Sequence, residues 1–187
     1  MNEEVKSIIL EALKKVLKAI KEKDVVSLKE LSNSTIHSAS TTQDEDSISF
    51  AVLAYSLFKI FERSDYENLG SWDLFSHNAD VYLKNAYDYL NRKNIDKYRS
   101  SVNDFLKSID DLDKKLRDYI KDVLEGARVS KGSRLYEHGL SLGRTAELFG
   151  VSQFELMDYV GKTGIADVTP ATVDIKKRLV KARSLFI

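Results

Sequence analysis

From Tyr98 to Ala127 an apolar residue returns every three or four positions: Tyr98, Val102, Phe105, Ile109, Leu112, Leu116, Tyr119, Val123 and Ala127. Residues spaced this way share one face of an α-helix. Sustained over about 30 positions, the pattern predicts one long amphipathic helix, the spine of a helical bundle. Turn residues agree with it. One proline and eight glycines in 187 residues are too few for an all-β chain and favour long uninterrupted helices. The predicted fold class is all-α.

The same periodicity marks the other helices. Val5, Ile8, Ile9, Ala12, Leu13, Val16, Leu17 and Ile20 place a first helix from about Glu3 to Lys23. Asp24 stands where an N-cap would open a second helix, which weakens from Ser38 into the polar STTQDED. Asp46 or Ser47 caps a third, through Arg63. Its FAVLAYSLFKIF run is the longest near-apolar stretch. It holds Lys59 and falls well short of the roughly 20 residues a bilayer requires, so it reads as a core helix. SDYENLGSWDLF is a connector. A fourth helix from Asp73 to Arg92 turns Val81, Leu83, Ala86, Tyr89 and Leu90 inward, and Asn94 or Asp96 opens the spine. On that spine Asp110, Asp111 and Asp113 fall on the exposed side.

These elements predict a bundle of four to five helices over residues 1–125. Gly126 and Gly132 mark a shift in composition, and residues 126–187 are expected to form a second module. Its helices would be KGSRLYEHG, SLGRTAELFG and VSQFELMDYVG, followed by a loop with the only proline and a last basic helix capped by Asp174. The chain is neutral overall, with 29 Lys and Arg against 29 Asp and Glu. From Gly126 onward ten cations stand against six anions, a net of +4, and the residues before carry the balancing −4.

Several function classes drop out. The chain has no cysteine, which excludes disulfides and thiolate metal sites and is compatible with a reducing cytosol. MNEEVKSIILEALKK lacks a secretory apolar core, so a cytoplasmic protein without membrane contact is expected. No phosphate loop, dinucleotide fingerprint or nucleophile elbow is present. No catalytic residue, metal or cofactor is expected.

The second module carries the clearest functional pattern. Ala146 is a small residue early in one helix, Gly150 stands four residues later in a turn, and Ser152 can cap the next helix. Leu148, Phe149, Val151, Leu156, Tyr159 and Val160 supply apolar packing. Together these offsets predict a helix-turn-helix. In a DNA reading Ser152, Gln153 and Phe154 sit at the end of the recognition helix that meets base edges. Gln153 would pair with adenine and Phe154 would touch a thymine methyl. Lys131, Arg134, Arg144 and Lys162 would hold phosphates. Against this, Glu155 and Asp158 would repel phosphate. The alternative makes Phe154 and Tyr159 apolar anchors for a protein partner or a second copy of the chain.

Leu135, Tyr136, Gly139, Ser141, Leu142, Gly143, Ala146, Glu147, Leu148, Gly150, Ser152, Phe154 and Glu155 resemble the helix-turn-helix of small archaeal and bacterial antitoxin-like proteins. Thr145 stands where alanine is usual in them. The bulk of the chain is similar in residue flavour to uncharacterised archaeal helical proteins. The resemblance covers under a fifth of the chain, and it implies a DNA-binding or toxin-regulating role.

A second polar stretch is LSNSTIHSASTTQDEDS. On a helix Asn33 and His37 share a face, and Asp44, Glu45 and Asp46 follow. An enzyme reading makes His37 a general base or ligand beside these carboxylates. The structural alternative is a close-packed helix of small residues followed by an acidic cap. The favoured function is a DNA-associated regulatory or antitoxin-like protein, with the bundle serving dimerisation or partner binding. A protein-docking module without DNA is second, and an enzyme using His37 with Asn33, Asp44 and Asp46 is third.

Overall fold

A computed structural model describes residues 1–63 and 67–163. The proline loop and the basic helix expected from Asp174 lie outside the described residues. Among the described residues there are eight α-helices and no strand. No helix of theirs is long and apolar enough to cross a membrane. The chain divides into two compact units, with the boundary between Ala127 and Arg128.

In the first unit, α1 (Glu3–Glu22) is capped by Asn2, whose side chain accepts the Val5 N–H at 2.8 Å. Glu3 and Glu4 in its first turn suit the positive end of the helix dipole. Asp24 caps α2 (Val25–Thr42) by accepting the Ser27 N–H at 3.0 Å. This helix does not fade at Ser38. It runs on to Thr42, its hydroxyls turned back onto its own carbonyls: Thr35 to Ser32 at 3.1 Å, Ser38 to Ser34 at 3.2 Å and Thr42 to Ser38 at 3.0 Å.

Helix α3 (Glu45–Glu62) is capped by Asp44, not by Asp46 or Ser47. Asp46 lies within the first turn and takes two bonds from the Arg99 guanidinium, at 2.8 and 2.7 Å. Helix α4 (Trp72–Asn91) buries Trp72, Phe75, Ala79, Leu83, Ala86 and Leu90. Val81, expected inward, is 36% exposed. The period through Ala79, Leu83, Ala86 and Leu90 turns position 81 to the opposite side. Asn94 caps α5 (Ile95–Ser108).

The expected spine is not one helix. After α5 comes a single 3-10 turn, Ile109–Asp111, and then Leu112 in an extended conformation at φ −77° and ψ 160°. Asp113 restarts the chain into α6 (Lys114–Glu137) by accepting the Leu116 N–H at 3.2 Å. It also exchanges bonds with Ser71: its own N–H reaches the Ser71 hydroxyl at 2.9 Å, and its carboxylate accepts the Ser71 N–H at 3.3 Å. Phe105, Ile109, Leu112 and Leu116 stay buried through the break, which is why periodicity alone did not reveal it. Nor does α6 stop at the composition shift. It continues past Gly126 and Gly132, so Lys131 to Glu137 form its last part and not a separate helix.

Packing in the first unit joins α1 to α2, α3 and α4, α2 to α3, and α4 to α5. Aromatic rings tie the middle: Phe61 and Trp72 meet edge to face at 5.3 Å, and Phe75 reaches Phe105 at 5.9 Å. The turns α1–α2, α2–α3 and α4–α5 each close on a left-handed residue that is not glycine: Lys23, Gln43 and Lys93, at φ of 53°, 51° and 60°.

Candidate functional site

The second unit contains the last part of α6, then α7 (Leu142–Phe149) and α8 (Gln153–Thr163). Gly139, at φ 93°, ends α6 in a conformation that favours glycine. Ser141 caps α7, accepting the Arg144 N–H at 3.3 Å. Thr145 is fully buried, and its hydroxyl donates to the Ser141 carbonyl at 3.0 Å. The threonine is therefore satisfied although fully buried. Gly150, at φ 62°, ends α7. The Val151 N–H returns to the Ala146 carbonyl at 3.1 Å, and two residues later α8 begins.

A small core holds this unit together. Leu135, Leu140, Ala146, Phe149, Leu156 and Val160 are buried. Gly132 lets α6 come close: a Cβ there would lie 3.3 Å from Leu156 Cδ1 and 3.5 Å from Phe149 Cγ.

Ser152 and Glu155 form a reciprocal capping box at the start of α8. The Ser152 hydroxyl accepts the Glu155 N–H at 3.1 Å, and the Glu155 carboxylate accepts the Ser152 N–H at 2.8 Å. The bond from the Ser152 side chain, followed by that from its backbone, holds the Glu155 carboxyl below its ordinary range. The residue expected to repel phosphate is thus first a cap. Ser-x-x-Glu before an apolar helix was the signal that could have identified it.

Gln153 and Phe154 follow, both exposed, with Phe154 at 82% and Met157 at 44%. Gln153 Nε2 lies 3.5 Å from where a Cβ on Gly143 would sit. The cations expected to hold phosphate have partners within their own helices. Arg134 pairs with Glu137 at 3.1 Å, Arg144 with Glu147 at 2.8 Å and Lys162 with Asp158 at 2.6 Å. Their three- and four-residue spacings were legible as helical ion pairs. Lys131 is only 6% exposed and so presents little surface to any ligand.

The polar stretch of the first unit is divided among separate tasks. Asn33 and His37 lie exposed on α2, Asp44 caps α3 and Asp46 binds Arg99. An open groove of about 430 Å³ runs beside α1 and α2, lined by Lys15, Lys18, Glu22, Ser27, Glu30 and Ser34 among others. None of Asn33, His37, Asp44 and Asp46 lines it. Among the described residues no group of three or more His, Asp and Glu is placed to hold a metal ion.

Comparison of the chain with protein-family models, with curated proteins and with solved structures gives no match.

Proposed function

We propose that the segment beginning at Arg128 is a helix-turn-helix module, carried on an N-terminal helical bundle, and that it acts in an antitoxin-like regulatory role by docking protein through α8. The observation that carries this reading is Phe154, an aromatic ring 82% exposed on α8, with the exposed Met157 one turn further on. Aromatic anchors of this kind are the residues that dominate binding energy when a partner covers them. The electrostatics favour the same choice. A phosphate approaching Arg144 or Lys162 would compete with Glu147 or Asp158 and would meet a like charge beside it.

A second reading, duplex DNA, is favoured by Gln153. It is exposed at the end of α8 where a recognition helix contacts base edges. Five of the ten cations after Gly126 fall between Lys176 and Arg183, outside the described residues, and would supply phosphate contacts. One experiment separates the two: binding of the intact chain and of Arg144→Glu to random duplex DNA at low and moderate salt. Protein docking expects no binding that is both salt-sensitive and lost in Arg144→Glu. Binding with both properties would replace it by the DNA reading.

A further inference from the structure

The α8 edge holds a protrusion and a gap at a matched spacing. Phe154 stands out into solvent, and Gly161 lies seven residues on, on the same face. Apart from its chain neighbours and the backbone of α8 itself, no described atom lies within 4 Å of where a Cβ on Gly161 would be. Gly161 has no left-handed φ to require it, and glycine within a helix weakens it. Its bare backbone is therefore unexplained by packing among the described residues. Seven residues are two helical turns, about 10.5 Å. A surface with a knob and a hole on one stripe, two turns apart, is complementary to itself when turned end for end.

We infer that the partner of α8 is a second copy of this chain, docked antiparallel about a two-fold axis near Met157. This rests on the protein-docking reading of α8 and names its occupant. In that arrangement each Phe154 ring lies over the Gly161 backbone of the other copy, and the two Met157 side chains meet at the axis. Such pairing is isologous, with each contact made twice. Charges on the flank agree. Glu155 and Lys162 lie on the same side of the stripe, so the reversal brings each Lys162 alongside the Glu155 of the other copy. Asp158 sits beside the axis, and its own Lys162 at 2.6 Å offsets the approach of the two carboxylates. Two 11-residue helices bury less than the roughly 800 Å² per partner of a standard interface. The dimer is accordingly weak and concentration-dependent.

The absence of native cysteine makes the geometry directly readable by engineered thiols. Met157→Cys is expected to cross-link to itself between copies. Phe154→Cys alone is not, because the two copies of residue 154 lie two turns apart, whereas a mixture of Phe154→Cys and Gly161→Cys chains is expected to give the mixed dimer. In sedimentation at about 100 μM, the intact chain should contain dimer, and both Phe154→Ser and Gly161→Gln should be monomeric. Gly161→Gln also favours the helix, which separates a loss of dimer from a loss of α8. A chain monomeric throughout, or a dimer that persists in both variants, overturns the inference and leaves docking of another protein through α8 standing. Salt-sensitive duplex binding lost in Phe154→Ser, with no dimer formed, overturns both.

Discussion

Among the described residues, the side-chain bonds seen within each of the two units differ in reach. In the first, polar side chains join segments far apart in sequence: Asp46 to Arg99, Ser71 to Asp113, and the Tyr119 hydroxyl to the Lys59 carbonyl at 3.1 Å. In the second, the Ser152–Glu155 box and the Arg134, Arg144 and Lys162 ion pairs stay within one helical turn. Long-range ties fix one arrangement of several helices. Local ties shape individual helices and leave the surface free to recognise something. The large apolar residue most exposed among those described, Phe154, accordingly lies in the second unit.

The sharpest way to break this contrast is to cut the first core. Phe75 is 1% exposed and packs against Phe61, Trp72 and Phe105. Phe75→Ala is expected to destabilise the first unit by about 3–5 kcal/mol. Emission from Trp72, the chain's single tryptophan, would follow its unfolding. A loss below about 1 kcal/mol would mean the aromatic cluster is not the centre of that unit.

The next effect should appear only in the second unit. At Gly132 a side chain must push on Leu156 and Phe149, so Gly132→Leu is expected to destabilise by about 1–3 kcal/mol through overpacking. Amide exchange in α7 and α8 should speed up while the Trp72 transition stays in place. At Gly126, six residues earlier on α6, an added Cβ would meet no described atom outside its own helix within 4 Å. There Gly126→Ala should stabilise by about 0.5–1 kcal/mol. Equal signs at the two glycines would remove the argument for a close approach at Gly132.

The smallest effect concerns pH. The Glu155 carboxyl is held below its ordinary value of 4.5 in the folded unit. Its cap therefore contributes fully above that value and is lost as pH falls through the lowered one. Acid should loosen the first turn of α8, read as faster amide exchange at Ser152. Glu155→Gln keeps an acceptor for the cap and should abolish that pH dependence.

What sequence could reveal follows the same division of reach. Asp24 and Asn94 were readable as caps because a cap acts within three residues. The break after Ser108 was not, because Ile109 and Leu112 preserve the apolar period across a chain that is no longer helical. Asp113 before Lys-Lys-Leu was the local sign of a new start. The role of Asp46 depends on a guanidinium 53 positions away, beyond any local pattern. At the candidate site, the Gly150 turn and the Ser152 cap were legible. The neutralisation of Arg134, Arg144 and Lys162 was also written in their spacing, but it is easily overlooked when cations are counted alone.

The three left-handed turns at Lys23, Gln43 and Lys93 bear on the order of assembly during synthesis. Tight turns make α1–α2, α2–α3 and α4–α5 pairs of neighbours in sequence, and neighbours find one another quickly. Helices α1, α2 and α3 can therefore associate as they leave the ribosome. The side of α1 that receives α4 stays uncovered until Trp72–Asn91 has been made. A released fragment ending at Glu62 is expected to be helical and yet to bind a hydrophobic dye, because its face for α4 has nothing to cover it.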